Sequence, residues 1–112
     1  LIVEKIKDAL KKSKALKMFI VNVANKPFET KGYNVFDYIS AVKKHLGTFP
    51  FNKIIVNKNF TPKIPKKYNY HYVDINHSRS SKYNIIKENI IDETFPLYHN
   101  PAKLAKTILE NI

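Results

Sequence analysis

One loop of the sequence holds an acid and a hydroxyl side by side, at Glu29 and Thr30. Such a pair can orient a ribose or another sugar through hydrogen bonds. It can also hold Mg²⁺ through a water molecule, because this cation prefers oxygen ligands. The structural alternative is that both side chains only cap the loop or the helix that follows it. The pair is therefore the first candidate for ligand binding.

Amide and tyrosine side chains supply further candidates. Asn22 and Asn57 each lie at or near the end of an apolar run, where an amide can contact a ligand or tie two loops together. Tyr33 and Tyr68 are amphipathic rings suited to stacking on a ligand, although most aromatic side chains in a small domain belong to its core. Both interpretations remain open for all four residues.

Two other polar clusters do not predict a site. His71, Asp74 and His77 follow one another at intervals of three residues, but on a strand residues 71 and 74 face opposite sides and cannot share a metal ion. Residues 78–81 hold three serines and an arginine without the Gly-x-Ser-x-Gly turn that exposes a hydrolase nucleophile. We expect neither a metal site nor a hydrolase.

The candidate loop lies between two elements of different periodicity. Residues 18–23 form an apolar run that is too short for a helix and rich in β-branched residues, which predicts a buried strand. Asn34 can cap a helix over residues 35–46, with Asp37 as the acid of a capping box and Gly47 at its end. Since ligands of open α/β sheets bind beyond the carboxyl ends of the strands, the loop has the expected position for a site.

The remaining chain repeats this alternation. Residues 52–57 predict a second strand, and a strand, helix, strand unit predicts parallel pairing through a right-handed crossover. Residues 70–75 predict a third strand and residues 83–87 a fourth, although residues 81–91 also fit one helical face.

Helices are predicted at both ends. The first covers residues 1–14 and packs on the sheet; the second is capped by Asn100 and lines one side with Leu104, Ala105, Ile108, Leu109 and Ile112.

Composition restricts the function further. The chain has 112 residues, enough for one domain, and a net charge of +11 that attracts polyanions, but only one of its 20 basic residues is an arginine. Because base-edge recognition relies on bidentate arginine, we expect no specific nucleic-acid site. No apolar run is long enough to span a membrane and the chain has no cysteine, so we expect a cytoplasmic location with no membrane partner.

Several motifs resemble those of a known family. Asn22, Pro27, Glu29–Thr30 and Gly32–Tyr33 resemble the Asn-x4-Pro-Gly-Glu-Thr-x-Gly-Tyr signature of the YvcK proteins, with Phe28 in place of the glycine. These proteins are the gluconeogenesis-factor branch of the CofD-like (2-phospho-L-lactate transferase) superfamily. Further similar positions follow in chain order: Asp37, His45–Gly47, Val56–Asn57, Pro65, Tyr68, Val73–Ile75, His99 and Lys103–Ala105.

The resemblance implies an α/β fold with a Rossmann-like, mostly parallel sheet flanked by helices. It implies that residues 1–112 are the carboxyl-terminal part of a single CofD-like domain, and that the family's Gly-rich phosphate loop lies in a missing amino-terminal part. Any nucleotide site here is then half a site. The implied ligand is a UDP-sugar or another nucleotide, and the implied ligand-binding residues are Asn22, Glu29, Thr30, Tyr33, Asn57, Tyr68 and Lys103.

The implied role is regulatory and without turnover, linked to carbon metabolism and cell-wall precursor synthesis. One alternative is a CofD-like transferase that moves a phospholactate-type group from a nucleotide carrier to an acceptor, and another is a basic interaction module. The expected partner is the missing amino-terminal part, and a homo-oligomer is left open. The resemblance implies no definite cofactor, with Mg²⁺ in the full-length protein as the alternative.

Two departures from the terminal family motif bear on the ligand. Tyr98 replaces a basic residue and Asn100 replaces an acid. An arginine at position 98 could pair bidentately with a diphosphate, which a tyrosine cannot do. We therefore expect either altered ligand binding in this chain or reliance on Lys103 or a nearby lysine.

Overall fold

A parallel three-stranded sheet forms the centre of the fold in the computed structural model, which describes residues 2–75 and 83–112. The elements in chain order are α1 (Ile2–Lys12), β1 (Met18–Ile20), β2 (Ala24–Asn25), α2 (Val35–Leu46), β3 (Lys53–Asn57), β4 (His71–Tyr72), β5 (Ile85–Glu88) and α3 (Pro101–Glu110), with a 3-10 turn at Lys66–Tyr68 before β4.

Strand β3 is the central strand of the sheet, with β1 on one side and β5 on the other. Both pairs are parallel, with Phe19 opposite Ile54 and Ile55 opposite Ile86. Helix α2 connects β1 to β3, so the predicted strand, helix, strand unit is confirmed. The α/β fold with a parallel sheet flanked by helices is confirmed as well.

The core lies on the α2 side of the sheet and continues on the opposite side. Val35 and Ile39 of α2 pack with Ile54 and Val56 of β3 in one buried cluster. Ile55 lies between those two strand residues and is also fully buried. Because successive strand residues face opposite sides, Ile55 must be covered from the other face of the sheet. This burial on both faces explains why residues 54–56 are a continuous apolar run.

Helix α2 begins and ends where the sequence predicts. The Asn34 side chain accepts a hydrogen bond from the Asp37 backbone N–H at 3.0 Å, and the Asp37 carboxylate accepts one from the Asn34 N–H at 2.9 Å. This is the expected capping box. Gly47 ends the helix with φ +75°, a left-handed conformation that favours glycine.

The predicted third strand over residues 70–75 is wrong in its extent. Only His71–Tyr72 form a strand, and they pair antiparallel with Ala24–Asn25 in a separate two-stranded sheet. The predicted first strand over residues 18–23 is likewise shorter: the chain leaves the main sheet after Val21, whose N–H still donates to the Ile55 carbonyl at 3.0 Å. The third strand of the main sheet is β5, so the alternative of a helix over residues 81–91 is wrong for residues 85–88.

The two terminal helices bury less apolar surface than the sequence predicts. Helix α1 contacts α2, and its Ile6 remains 51% exposed. In α3, Thr107 is buried with Leu104 and Ile108 half-buried. The predicted side is therefore wrong for Ala105, Leu109 and Ile112, which are exposed because the buried side of the helix runs through residues 104, 107 and 108. None of the helices among the described residues has the length and apolar character of a membrane span.

Candidate functional site

The carboxyl ends of the three parallel strands bring their following loops to one edge of the sheet. Strands β1, β3 and β5 end at Ile20, Asn57 and Glu88. Since the strands are parallel, the loops after these residues lie on the same side, where α/β proteins bind their ligands. Two polar clusters lie there, and they contain most of the predicted site residues.

The first of these, the loop cluster, surrounds the hydroxyl of Tyr38 on α2. This hydroxyl donates to the Asn25 side-chain oxygen at 2.5 Å, and the Asn25 amide nitrogen donates to the Tyr33 carbonyl at 2.7 Å. The side chains of Thr30 and Asn22 lie near enough to the Tyr38 hydroxyl to influence its pKa through hydrogen bonding. The structure thus brings three predicted residues, Asn22, Thr30 and Tyr33, around one buried tyrosine.

Burial changes the acidity of this tyrosine. Removal of the phenol from water raises the pKa of Tyr38 above its ordinary value, because the charged phenolate loses its hydration. Hydrogen bonds from Thr30 and Asn22 act in the opposite direction, and the neighbouring Tyr33 adds to the increase. The Tyr33 and Tyr38 rings meet edge to face, with their centroids 5.2 Å apart. The network therefore holds a neutral hydroxyl at its centre.

Replacing Tyr38 with phenylalanine is expected to reduce the loss of stability at alkaline pH. A group whose pKa is higher in the folded than in the unfolded chain stabilises the fold below its unfolded pKa, here 10.0, and this contribution is lost as the pH rises through the folded pKa. Urea unfolding of the wild type and of Tyr38→Phe at about pH 9 and about pH 11 measures the free energy of unfolding of each protein. The difference between the two free energies should be smaller at the higher pH.

The matched control is Tyr68→Phe, which removes a hydroxyl from an exposed ring. Its stability difference from the wild type should stay constant between the two pH values. An equal change in both variants would show that the Tyr38 hydroxyl has no special environment.

Thr30 and Glu29 lie in the same loop but have different surroundings. The Thr30 hydroxyl accepts a hydrogen bond from the Lys26 N–H at 2.9 Å, so it closes the loop as the structural alternative predicts. Glu29 is exposed and pairs with the Lys26 ammonium at 3.6 Å. A surface ion pair of this kind contributes little stability, which leaves the Glu29 carboxylate accessible to a ligand.

The second, the edge cluster, joins the ends of β3 and β5. The Asn57 side chain donates to the Asn59 carbonyl at 2.8 Å and accepts from the backbone N–H groups of Asn59 and Ile90 at 3.2 and 3.3 Å. The Asn59 amide in turn donates to the Asn89 side chain at 3.3 Å. Asn57 is buried, so its amide ties two loops together in this structure.

Lys103 is the cation of the edge cluster. Its ammonium donates to the Ile91 carbonyl at 3.0 Å and to the Asn89 side chain at 3.4 Å. It also lies 3.5 Å from the carboxylate of Glu93, which is largely exposed. Lys103 stands in the first turn of α3, where its own N–H is capped by the Asn100 side chain at 3.0 Å. The lysine is therefore held in one place at a helix N-terminus.

Tyr68 is not joined to either cluster. It ends the 3-10 turn, its side chain is exposed, and the Lys67 ammonium lies 5.1 Å from its ring centroid. No hydrogen bond among residues 2–75 and 83–112 links its hydroxyl to the other candidates. His77 and the serines of residues 78–81 lie outside the described residues, so the predictions made on them stay predictions.

The residues that hold each cluster together were not among those predicted from the sequence. Asn25 and Tyr38 hold the loop cluster, and Asn59 and Asn89 extend the edge cluster. A signal existed for Tyr38, because it lies three residues after Val35 and one before Ile39 on the buried side of a helix. A buried tyrosine hydroxyl usually forms a hydrogen bond, and the polar loop before α2 is the nearest segment that can supply the partner.

The family model described as 2-phospho-L-lactate transferase CofD matches residues 1–91. The chain belongs to the CofD family. Among curated relatives it is similar to the gluconeogenesis factor of Bacillus subtilis, with 27% identity over 98% of this chain and 37% of the relative. The putative gluconeogenesis factors of Nostoc sp. and Aquifex aeolicus are each 32% identical, over 98% and 97% of this chain and 26% and 35% of the relatives. These matches place it with the YvcK-like branch.

A solved structure shares the fold of this chain. A member of the UPF0052 family from Bacillus halodurans superimposes with a TM-score of 0.78 at 26% sequence identity. The match covers 93% of this CofD-family chain and 36% of that protein. The chain therefore spans about a third of the solved structure and between 26% and 37% of the three curated relatives named above.

The departures of this CofD-family chain from the family motifs lie at the same edge. Phe28, at the glycine position, is 96% exposed, and Tyr98 is also exposed. Asn100 replaces an acid and serves as the cap of α3. His99 lies between Tyr98 and Asn100 in the sequence, and its ring nitrogen Nε2 is 3.1 Å from the Val21 carbonyl. This contact connects the segment before α3 to the end of β1.

The described residues of this CofD-family chain form no metal site made of protein ligands alone. Glu29 supplies the only carboxylate of the loop over residues 22–33, and it pairs with Lys26. Within the ranges that the structure describes, no three His, Asp or Glu side chains converge on a common point. Because Mg²⁺ at nucleotide sites is usually held by one or two carboxylates together with waters and the phosphates of the ligand, Glu29 could contribute at most one ligand to such an ion.

Proposed function

We propose that this chain supplies one half of a UDP-sugar site in a regulatory protein of carbon metabolism and cell-wall precursor synthesis. The observation that carries the proposal is the common position of the two clusters at the carboxyl edge of a parallel sheet. The edge offers amides, hydroxyls and an ordered lysine together. A sugar diphosphate needs hydrogen-bonding partners for its hydroxyls and positive charge for its phosphates.

The diphosphate is assigned to the start of α3. Lys103 is fixed by the Ile91 carbonyl and retains an exposed fraction of 31% for its side chain, so its ammonium can reach a ligand. The N-terminus of a helix adds a positive partial charge. The exposed Glu93 carboxylate is expected to move away when a phosphate replaces it, since surface ion pairs are weak.

The sugar or ribose hydroxyls are assigned to the loop cluster. Asn22 is exposed at the end of β1, while Asn25 below it is buried and fully engaged with Tyr33 and Tyr38. The buried Asn25 and Tyr38 hold the loop in place. Asn22 and Glu29 are exposed, so their side chains can bind the hydroxyl groups of a sugar or ribose. Tyr68, whose ring is exposed, remains the proposed stacking partner of the base.

The role of the ligand is proposed to be regulatory, and the compartment cytoplasmic. The named relatives are known or putative gluconeogenesis factors, a description that states no reaction. The other half of the site is proposed to come from an amino-terminal part of the full-length protein, as the partial coverage of the relatives supports. A second copy of the chain is the other proposed source.

A transferase is the second candidate, because the family model that matches residues 1–91 carries that description. It would move a phospholactate-type group from a nucleotide carrier to an acceptor. A basic interaction module has less support: exposed lysines lie on all three helices, on β5 and in residues 58–67, rather than on a single element.

Thermal unfolding of the full-length protein tests the ligand. UDP-N-acetylglucosamine or UDP-glucose at about 100 times its dissociation constant should stabilise the native state by about 2.7 kcal/mol and raise the midpoint. Lys103→Met should weaken binding by at least about tenfold, since a charge-assisted contact contributes more than 1 kcal/mol. Lys106→Met is the matched control, because Lys106 lies on the same helix, is exposed, and pairs only with Glu110 among the described acids.

Each outcome separates the candidates. A rise with UDP-sugars that depends on Lys103 and not on Lys106 supports the regulatory site. A rise with GDP alone favours the transferase. If no nucleotide changes the midpoint, or if both lysine variants behave alike, the proposed half-site at the carboxyl edge is wrong.

A further inference from the structure

A groove of about 950 Å³ lies between residues 60–66 and strand β4. None of its lining residues belongs to the loop cluster or to the edge cluster. Its walls are mainly aromatic and apolar, and its volume is within the range of small-molecule sites. The side chains that matter for its chemistry are Phe60, Pro62, Lys63, Lys66, His71 and Tyr72.

The aromatic wall of the groove is preformed. The rings of Phe60 and Tyr72 are stacked, with centroids 4.9 Å apart and an interplanar angle of 16°. The Tyr72 hydroxyl donates to the Pro62 carbonyl and so ties the loop to β4. Asn69 has φ +54°, a left-handed conformation that turns the chain from the 3-10 turn into β4. A ligand would therefore meet a wall that is already in place.

The groove is also positively charged. Lys63 and Lys66 line it together with His71, and among the described residues that line it none is acidic. Neither lysine forms an ion pair with an acid in the part of the chain that the structure describes. Their charges are therefore available to an anion from solvent.

We propose that this groove binds a small ligand in which a planar ring carries a phosphate or carboxylate group. The ring packs against the Phe60 and Tyr72 side, where aromatic stacking is favourable. The anionic group lies between the ammonium groups of Lys63 and Lys66. An aromatic wall and two lysines line one concave surface, and this combination selects such a ligand over a neutral ring or a bare anion.

The test uses nuclear magnetic resonance titrations of the chain with three probes: phenyl phosphate, phenol and inorganic phosphate. Phenyl phosphate should shift the backbone amide resonances of residues 60–66 and 69–72 and leave those of Asn22 and Lys103 unchanged. Phenol and phosphate should each bind at least about tenfold more weakly, because each lacks one of the two contacts. Equal binding of inorganic phosphate would overturn the proposal, and so would phenyl phosphate shifts located elsewhere.

Two variants locate the contacts. Phe60→Ala removes part of the ring wall from a partly exposed position, and the double variant Lys63→Ala, Lys66→Ala removes two charges. Both should weaken phenyl phosphate binding by about tenfold. The double variant Lys11→Ala, Lys12→Ala removes the same charge from the exposed end of α1 and should have no effect. If it weakens binding equally, only net charge matters and the groove is not a site.

This inference does not depend on the UDP-sugar proposal. Lys103→Met tests the carboxyl edge, and the Lys63, Lys66 double variant tests the groove, so the failure of one leaves the other standing. Thermal unfolding of each variant without ligand shows that the fold is retained. A variant that no longer unfolds cooperatively is replaced by Lys63→Gln, Lys66→Gln, with the same expected loss of binding.

Discussion

Replacing Ile55 with alanine is expected to lower the free energy of unfolding by about 2–5 kcal/mol, because it leaves a cavity where no solvent can enter. Ile55 is 0% exposed and lies in the middle of the central strand, with a parallel neighbour on each side. Since small domains are stable by only about 5–15 kcal/mol, this one substitution removes a large share of the total. Chemical denaturation of the variant and the wild type measures it.

The control for this prediction is Leu109→Ala on α3. Leu109 is 71% exposed, and its truncation should change the stability by no more than about 0.5 kcal/mol. Ile55→Val, expected to cost about 0.5–1.5 kcal/mol, provides an intermediate value if the alanine variant does not fold. Similar losses at positions 55 and 109 would mean that the sheet is not the main core.

Replacing Asn57 with alanine is expected to lower the free energy of unfolding by about 2–4 kcal/mol, although this residue was first considered as a ligand contact. Its amide satisfies the backbone N–H groups of Asn59 and Ile90, and Ile90 is fully buried. Removing the side chain leaves the Ile90 N–H without this partner, and an unsatisfied buried donor costs about 1–3 kcal/mol. The lost bond to the Asn59 carbonyl adds about 1 kcal/mol.

Urea denaturation of Asn57→Ala, compared with Asn89→Ala, tests the structural role. Asn89 is exposed, and its contacts with Asn59 and Lys103 are long, at 3.3 and 3.4 Å. Its truncation should cost less than about 1 kcal/mol. If Asn57→Ala is as stable as the wild type while UDP-sugar binding is lost, Asn57 acts as a ligand contact and not as a tie between loops.

The sequence was sufficient for the elements with strong local signals. Helix α2 has a capping box at Asn34 and a glycine at its end, and β3 has an uninterrupted apolar run, so both were predicted nearly to the residue. The partner of each strand was harder to predict. Residues 70–75 have the composition of a strand, but nothing local indicates that His71–Tyr72 pair with β2 instead of the main sheet.

The position of the candidate site at the sheet edge was predictable from the sequence, but the contacts among its residues were not. Strand ends and a polar loop located the carboxyl edge, because the position of ligands in α/β sheets is a general rule. The roles of Asn25, Tyr38 and Asn59 depend on contacts between residues of different elements, such as the 2.5 Å hydrogen bond from Tyr38 to Asn25. A linear pattern does not contain such distances. Residue types alone also could not show that Asn57 is buried and Asn22 exposed.

The arrangement of the sheet also determines when its core can form. Met18 pairs with Lys53, and Ile54 pairs with Ile85, so both strand pairs join distant parts of the chain. Long loops must close before such contacts become favourable, which slows folding relative to a helical protein. During synthesis, β3 has only β1 beside it until β5 has left the ribosome. The apolar residues 54–56 are therefore incompletely covered in the nascent chain, and transiently exposed apolar strands of this kind favour aggregation.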